Sequence, residues 1–98
     1  MEALSLRSRV AASGDVVFRD LDAEMVLLDM RSGVYFSLDA VATRIWQLLQ
    51  RHSMLEPVLD ELIDEFDVPA ERCADDLLGF VTLMRDKGLV EVRVGAGA

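Results

Sequence analysis

The chain has 98 residues, 52% of them hydrophobic, which is the size of one domain with a single core. Ten Lys and Arg against eighteen Asp and Glu give a formal net charge of −8, so non-specific binding to nucleic acid is unfavourable. The single cysteine excludes an internal disulfide, and with neither a signal peptide nor a membrane-spanning run in the sequence we expect a cytoplasmic protein that does not engage a membrane.

Two β-strands are predicted near the start of the chain. Residues 1–14 have mixed polarity and no sustained period, so we expect a flexible arm before the folded domain at 15–92. The β-prone run Val16-Val17-Phe18 opens the first strand, and Glu24 to Met30 form the second. A turn is expected between them at Asp22-Ala23.

A third strand, Val34 to Leu38, follows a tight turn at Ser32-Gly33, where glycine suits the left-handed position. Alternation predicts that Val34, Phe36 and Leu38 face the core and that Tyr35 and Ser37 face away from it. Three strands joined by short loops form an antiparallel meander, in which the last strand keeps one free edge. A free edge can accept an extended peptide by backbone hydrogen bonding.

Helical periodicity begins after the third strand. Asp39 is a suitable N-cap for a helix that ends near Gln50. Ser53 and Glu56 have the spacing of a capping box, which predicts a second helix with an apolar face extending to Phe66.

A third helix is predicted from Pro69 to about Lys87. Proline favours the first turn of a helix, and Gly88 is placed to end this one in a left-handed conformation. Leu89 to Val94 have the composition of a short terminal strand, and residues 93–98 are expected to form a flexible tail.

The element order predicts an α+β fold, in which a three-stranded antiparallel sheet precedes three helices. The last two helices are joined by a very short connection and resemble a helix-turn-helix. With the adjacent hairpin, the arrangement is winged helix-turn-helix-like.

Neither a catalytic nor a metal site is predicted. His52 is interpreted as a solvated loop residue, because no base, nucleophile and orienting group assemble around it. Cys73 lies on an apolar helix face and is interpreted as a buried residue. The acidic residues of the second helix, from Asp60 to Asp67, lack the spacing of a calcium loop, and no glycine-rich phosphate loop exists. We therefore expect no cofactor.

The third helix has a wider apolar stripe than one core contact requires. One line of this stripe is interpreted as core and consists of Cys73, Leu77, Phe80 and Met84. The stripe is widened sideways by Ala74, Leu78 and Val81. A helix beside an exposed strand edge could form one wall of a hydrophobic groove, so the wider part of the stripe is a candidate binding surface.

Several segments resemble the PqqD-like family, named for the pyrroloquinoline quinone synthesis protein D. They are Gly33-Val34-Tyr35-Phe36-Ser37-Leu38-Asp39, Ala42-x-x-Ile45-Trp46-x-Leu48-Leu49, Asp60-x-Leu62 with Phe66-Asp67-Val68, and Asp76-Leu77-Leu78 with Gly88-Leu89-Val90. The resemblance spans roughly residues 15–92.

The resemblance implies a peptide chaperone rather than an enzyme. Members of this family bind the leader part of a ribosomally synthesised precursor peptide and present it to a modifying enzyme: a lasso-peptide leader protease, a cyclase or a radical enzyme. It implies that the leader adds as an antiparallel strand to the third strand and enters the groove beside the third helix. The implied leader-binding residues are Val34, Tyr35, Phe36, Ser37, Leu38, Ala74, Asp75, Leu78, Val81, Thr82 and Arg85.

Two other interpretations remain open at the sequence level. A winged-helix DNA-binding regulator would need a basic third helix, but its acidic residues outnumber its basic ones. The free strand edge could also pair with a second copy of the chain to form a homodimer.

Overall fold

The computed structural model describes residues 4–21 and 24–93. Within those residues the strands are β1 (Arg9–Ala12), β2 (Val16–Leu21), β3 (Glu24–Asp29), β4 (Val34–Leu38) and β5 (Val90–Arg93). The helices are α1 (Ala40–Arg51), α2 (Leu55–Phe66) and α3 (Ala70–Asp86).

The predicted meander is confirmed, because β2, β3 and β4 form one antiparallel sheet in that order. The turn between β3 and β4 is held by a hydrogen bond of 2.7 Å from the Gly33 N–H to the Asp29 carbonyl. Gly33 has a φ of +73°, the left-handed conformation expected from the sequence. The turn expected at Asp22-Ala23 lies outside the described residues.

The N-terminal segment differs from the expected arm, since Arg9–Ala12 form a strand that pairs antiparallel with β5. Val10 is 2% exposed and belongs to the core. A four-residue segment has too short a pattern to identify a strand, and its partner lies some 80 residues later in the chain. The terminal strand itself is confirmed, although it includes Arg93, which was expected to begin the tail. Residues 94–98 lie outside the described residues.

The N-cap predicted for α1 is confirmed, but the capping box predicted for α2 is wrong. Asp39 Oδ1 accepts a hydrogen bond of 2.8 Å from the Ala42 N–H. The N-cap of α2 is Met54 and has no side-chain hydrogen bond. Instead, the Glu56 N–H donates to the Leu6 carbonyl at 3.1 Å, so backbone from the N-terminal segment satisfies a donor that the capping box was expected to satisfy.

The third helix begins directly after Pro69, which occupies the N-cap position, and ends at the predicted glycine. Gly88 has a φ of +75°, and its N–H donates to the Arg85 carbonyl at 3.0 Å. The Leu89 N–H donates to the Met84 carbonyl at 2.9 Å, which completes a Schellman motif. Leu89 is fully buried, so this ending also directs the chain into β5.

One core joins the helices to the inner face of the sheet. Trp46 is fully buried, and its ring packs edge to face against Phe18 with 5.7 Å between centroids. Val34 was expected to face the core, but it is 46% exposed because it lies at the turn end of β4. Leu38 at the other end of the strand is buried as predicted. No helix in the described residues is long and apolar enough to cross a membrane.

Candidate functional site

The outer edge of β4 has no neighbouring strand among the described residues, since β4 is the last strand of its sheet. The hydrogen-bonding alternation shows which backbone groups point outward. The Met30 N–H donates to the Asp15 carbonyl, so backbone groups at even positions of β3 face β2 and those at odd positions face β4. Phe36 pairs with Leu27 and therefore faces inward. Tyr35 and Ser37 consequently present their N–H and C=O groups at the open edge.

An open groove of about 460 Å³ lies between β4 and α3. One wall and the floor come from the strand and the start of α1, and the other wall is one face of α3. The lining residues are Tyr35, Phe36, Ser37, Leu38, Asp39, Ala42, Phe80, Leu83, Met84 and Lys87. Leu83 is 50% exposed, and Lys87 Nζ lies 5.3 Å from the centroid of the Phe36 ring. The groove is therefore an accessible apolar channel beside a strand with unused backbone groups.

The sequence predicted one site from residues of β4 and residues of α3, but only the β4 residues line the open groove. On the strand, Tyr35 to Leu38 line the groove, whereas Val34 does not. On the helix, the groove lining includes none of the predicted residues Ala74, Asp75, Leu78, Val81, Thr82 and Arg85. Val81 is fully buried in the core.

The rotation of an α-helix explains this separation. Each residue advances by about 100°, so Phe80, Leu83, Met84 and Lys87 lie on one face, and Leu78 and Thr82 lie roughly opposite to Phe80. Phe80 and Met84 were interpreted only as core residues, although Met84 serves both surfaces. The signal that could have identified this face is Leu83, an apolar residue outside the core line and one helical turn before Lys87.

The β3–β4 turn is held by Asp29, whose side chain is 8% exposed. Its carboxylate accepts hydrogen bonds of 3.0 Å from the Arg31 N–H and from the Ser32 hydroxyl. The backbone hydrogen bond from Arg31, helped by Ser32, lowers the pKa of Asp29. Arg31 also donates to the Gly88 carbonyl at 3.4 Å, which connects the turn before β4 to the end of α3. Both walls of the groove are thus tied together at one end.

A second apolar depression of about 390 Å³, the helical hollow, lies where the three helices meet. Its lining residues are Val41, Ile45, Leu62, Phe66, Val68, Arg72, Cys73, Asp76 and Leu77. On α3, Asp76 is one turn before Phe80, and on α1, Val41 is next to Ala42. On both helices, the lining of the helical hollow is therefore adjacent to that of the open groove.

The candidate reactive residues lie away from the groove. His52 was interpreted as a solvated loop residue, but it is half-buried and its Nε2 contacts Glu61 Oε2. The hydrogen bond from His52 lowers the pKa of Glu61, and Arg51 adds an ion pair of 3.1 Å to the same carboxylate. This cluster connects α1 to α2 and is structural.

Cys73 is buried as expected, and burial raises the pKa of its thiol. A thiol with a raised pKa contains little of the nucleophilic thiolate at neutral pH. No group of three or more His, Cys, Asp or Glu in residues 4–21 and 24–93 is arranged to hold a metal ion.

Most of the chain matches a known protein family. Residues 24–90 match the family described as Coenzyme PQQ synthesis protein D (PqqD). The matched segment begins at β3 and ends at β5, so it includes both walls of the open groove. Among curated proteins, none matches the chain significantly.

Two solved structures resemble the whole fold. One, described as TbiB1 in complex with the TbiA(beta) leader peptide, is 38% identical, with a TM-score of 0.79. The match covers 82% of this chain and 93% of that chain. The other, described as lasso peptide synthetase B1 complexed with the leader peptide, is 30% identical, with a TM-score of 0.72. There the match covers 85% of this chain and 98% of the other.

Proposed function

Since this chain belongs to the PqqD family, we propose that it binds the leader region of a ribosomally synthesised precursor peptide and presents it to a modifying enzyme. The observation that carries the proposal is the open groove, where the unpaired edge of β4 lies beside an exposed apolar face of α3. Two similar structures are described as complexes with a leader peptide, and one of them is described as a lasso peptide synthetase B1. A lasso-peptide precursor is therefore the proposed partner.

The leader adds to β4 as an antiparallel strand. Tyr35 and Ser37 together offer two N–H donors and two carbonyl acceptors, each pairing worth about 1 kcal/mol net. Ordering a disordered segment costs about 2–5 kcal/mol, so these four bonds do little more than offset that cost. The remaining affinity comes from apolar leader side chains that contact Phe80, Leu83 and Met84 in the groove.

The direction of the added strand determines where the parts of the leader on either side of the paired segment lie. An antiparallel strand starts at the Leu38 end of β4 and leaves at the turn end near Val34. The part of the leader before the paired segment then passes Ala42 and reaches the helical hollow. The part after it, which leads to the modified region, leaves the protein beside the β3–β4 turn.

The proposed role of the chain is to bind the leader and not to catalyse a reaction on it. The buried Cys73 has a raised pKa, and His52 is held by Glu61, so neither is placed to act on a peptide in the groove. Since precursor peptides are made by ribosomes, the cytoplasm is the compartment in which we expect this encounter. DNA binding has no support in the charges, because the exposed acidic residues of α3 outnumber its exposed basic residues, Arg72 and Arg85.

The test compares two neighbouring positions of α3. Leu83→Glu places a charge in the groove and should weaken binding of a labelled leader at least tenfold, measured by fluorescence anisotropy. Thr82→Glu adds the same charge at a residue outside the groove lining and should change affinity less than twofold. Equal effects of the two substitutions, or no leader binding by the unsubstituted chain, would contradict the proposal.

The same strand edge is open to β4 of a second copy, and the two occupants exclude each other because both use the backbone of Tyr35 and Ser37. We propose that any homodimer formed through this edge dissociates as leader is added. Sedimentation velocity with increasing leader measures this directly. A dimer that persists at saturating leader would show that copies associate through another surface.

A further inference from the structure

The lining of the open groove includes two charged side chains, Asp39 at the Leu38 end of β4 and Lys87 toward the β3–β4 turn. The carboxylate of Asp39 serves as the N-cap of α1, where it accepts a hydrogen bond of 2.8 Å from the Ala42 N–H. Lys87 forms no ion pair with any residue in the ranges 4–21 and 24–93. The groove therefore offers an ammonium group that has no carboxylate partner among these residues.

Lys87 reaches across the open groove from one wall to the other. It lies at the C-terminal end of α3, and its Nζ lies 5.3 Å from the centroid of the Phe36 ring on β4. Because Lys87 is exposed, water completes the solvation of its ammonium group in the free protein. A leader strand added to β4 covers this position and removes part of that water. A carboxylate on the leader would then stabilise the ammonium group, whereas an apolar side chain would leave it poorly solvated.

Strand pairing identifies the leader residue that meets Lys87. Tyr35 and Ser37 present their backbone groups at the open edge, so the leader residue directly opposite Phe36 forms a non-hydrogen-bonded pair with it. We call this residue the central leader residue. In such a pair the Cα atoms are about 4.5 Å apart, and both side chains lie on the same side of the sheet. The side chain of the central leader residue therefore enters the groove beside the Phe36 ring, where Lys87 Nζ lies.

We propose that Lys87 selects leaders with Asp or Glu as the central leader residue, and that this ion pair fixes the register of the leader on β4. The inference rests on the proposed function. Backbone hydrogen bonds are the same for every sequence, and a slip of two residues keeps the same side chains on the groove side. Apolar contacts with Leu83 and Met84 have no preferred direction. The ion pair does distinguish registers, because a slip of two residues moves the carboxylate by about 6.6 Å.

The charge of the whole chain restricts the acidic residue to this position. A protein with a net charge of −8 repels a carboxylate over most of its surface. Opposite Leu38, two residues before the central leader residue, Asp39 adds to that repulsion. Charges on a protein surface act over about 8–10 Å at physiological salt, so the attraction of Lys87 is local. We therefore expect one favourable position for an acidic residue in the paired segment.

The experiment is a double-mutant cycle that uses the full chain and the labelled leader of its own precursor, measured by fluorescence anisotropy. The leader variants have Glu, Gln or Lys as the central leader residue. The unsubstituted protein should bind the Glu leader at least fivefold more tightly than the Gln leader and at least tenfold more tightly than the Lys leader. Lys87→Glu should reverse that order.

A scan and a matched control locate the contact. When one Glu is placed at each position of the paired segment in turn, the effect of Lys87→Glu should be largest at one position and at least threefold smaller two residues away. Arg85→Glu makes the same change in net charge at an exposed residue of α3 outside the groove lining, and it should keep the order of the unsubstituted protein. Equal effects of the two substitutions would overturn the proposal.

The possible failures are distinguishable. No leader binding by the unsubstituted chain contradicts the proposed function itself. Equal binding of the Glu, Gln and Lys leaders would show that Lys87 moves aside into solvent, and it would overturn only the assignment of Lys87. Circular dichroism shows whether each variant is folded. If Lys87→Glu is not, Lys87→Met decides, because it keeps the apolar stem and should abolish the preference for Glu without reversing it.

Discussion

Gly79 and Gly88, within α3 and just after it, should respond in opposite ways to substitution by alanine. Gly88 has a φ of +75°, a conformation that residues with a β-carbon resist, and a β-carbon added there would lie 2.8 Å from Arg31 Nη2. Gly79 lies within α3, is exposed, and has open space around the position of an added β-carbon. The local backbone, not the amount of space alone, decides the outcome at each position.

We expect Gly88→Ala to destabilise the protein by about 1–2 kcal/mol through left-handed strain. Gly79→Ala should stabilise it by about 0.5–1 kcal/mol, because alanine restricts the unfolded chain and favours the helix. Urea unfolding followed by circular dichroism measures both. A loss of stability in both variants would mean that Gly79 has a contact that the structure does not show.

Asp29 makes the β3–β4 turn sensitive to acid. Its pKa is lowered in the folded state, chiefly by the Arg31 backbone hydrogen bond, so the charged form stabilises the fold above the ordinary aspartate pKa of about 3.9. That stability is lost as the pH falls through the lowered folded-state pKa.

The stability difference between the unsubstituted protein and Asp29→Asn should therefore be largest at neutral pH and should shrink below about pH 4. Urea midpoints between pH 2.5 and 7 measure it. Ser32→Ala removes the hydroxyl and keeps the Arg31 backbone hydrogen bond, so it should retain part of this pH dependence. A constant difference across the pH range would show that the Asp29 charge does not stabilise the turn.

Local chemistry predicted several residues correctly. Gly33, Asp39 and Gly88 have the roles expected from sequence, because a left-handed turn or a cap depends on atoms only a few residues away. Ser53 does not cap α2, because backbone from the distant N-terminal segment provides the acceptor instead. A short-range signal fails where a long-range contact satisfies the same donor.

Among the elements, β1 is the one that the sequence did not reveal. It has four residues, and its stabilisation comes from pairing with β5 and from burial of Val10 against the helices. We expect the N-terminal segment to hold α2 in place, because Leu6 and Val10 both bond to the backbone around its first turn.

Val10→Ala should cost about 2 kcal/mol, from two lost methyl groups and the cavity that they leave. Arg9→Ala, at the exposed neighbouring position, should change stability by less than about 0.5 kcal/mol. Thermal unfolding compares them directly. Equal stability of the two variants would show that residues 9–12 do not contribute to the fold and form a flexible arm.

For the third helix, the bounds were predicted from sequence, but the residues predicted to face the leader are not the ones that line the groove. Its bounds, its glycine stop and its apolar stripe were all predicted from sequence, yet Leu78, Thr82 and Arg85 do not line the groove. A stripe that wraps more than half of a helix has two possible flanks. Only the position of β4 decides which flank faces the groove.

For the whole molecule, leader binding should raise thermal stability, because the leader binds the folded state and not the unfolded one. At a free concentration one hundred times the Kd, the leader adds about 2.7 kcal/mol. For a domain of this size that corresponds to an increase in Tm of about 10 °C or more. Differential scanning fluorimetry with a leader of scrambled sequence as control measures it, and an equal increase with the scrambled peptide would contradict specific binding.

The sequence by itself determined the element order, the antiparallel meander with its free strand edge, and the helix caps that depend on neighbouring residues. It also determined the family, through segments that lie on both sides of the groove. These features follow from periodicity and local backbone preference, which act over a few residues. Tertiary structure alone decided the pairing of β1 with β5, the burial of Val81, and the face of α3 that lies beside β4. Each of these depends on how a helix or strand is rotated against a distant partner, and that rotation is set by packing of the whole core.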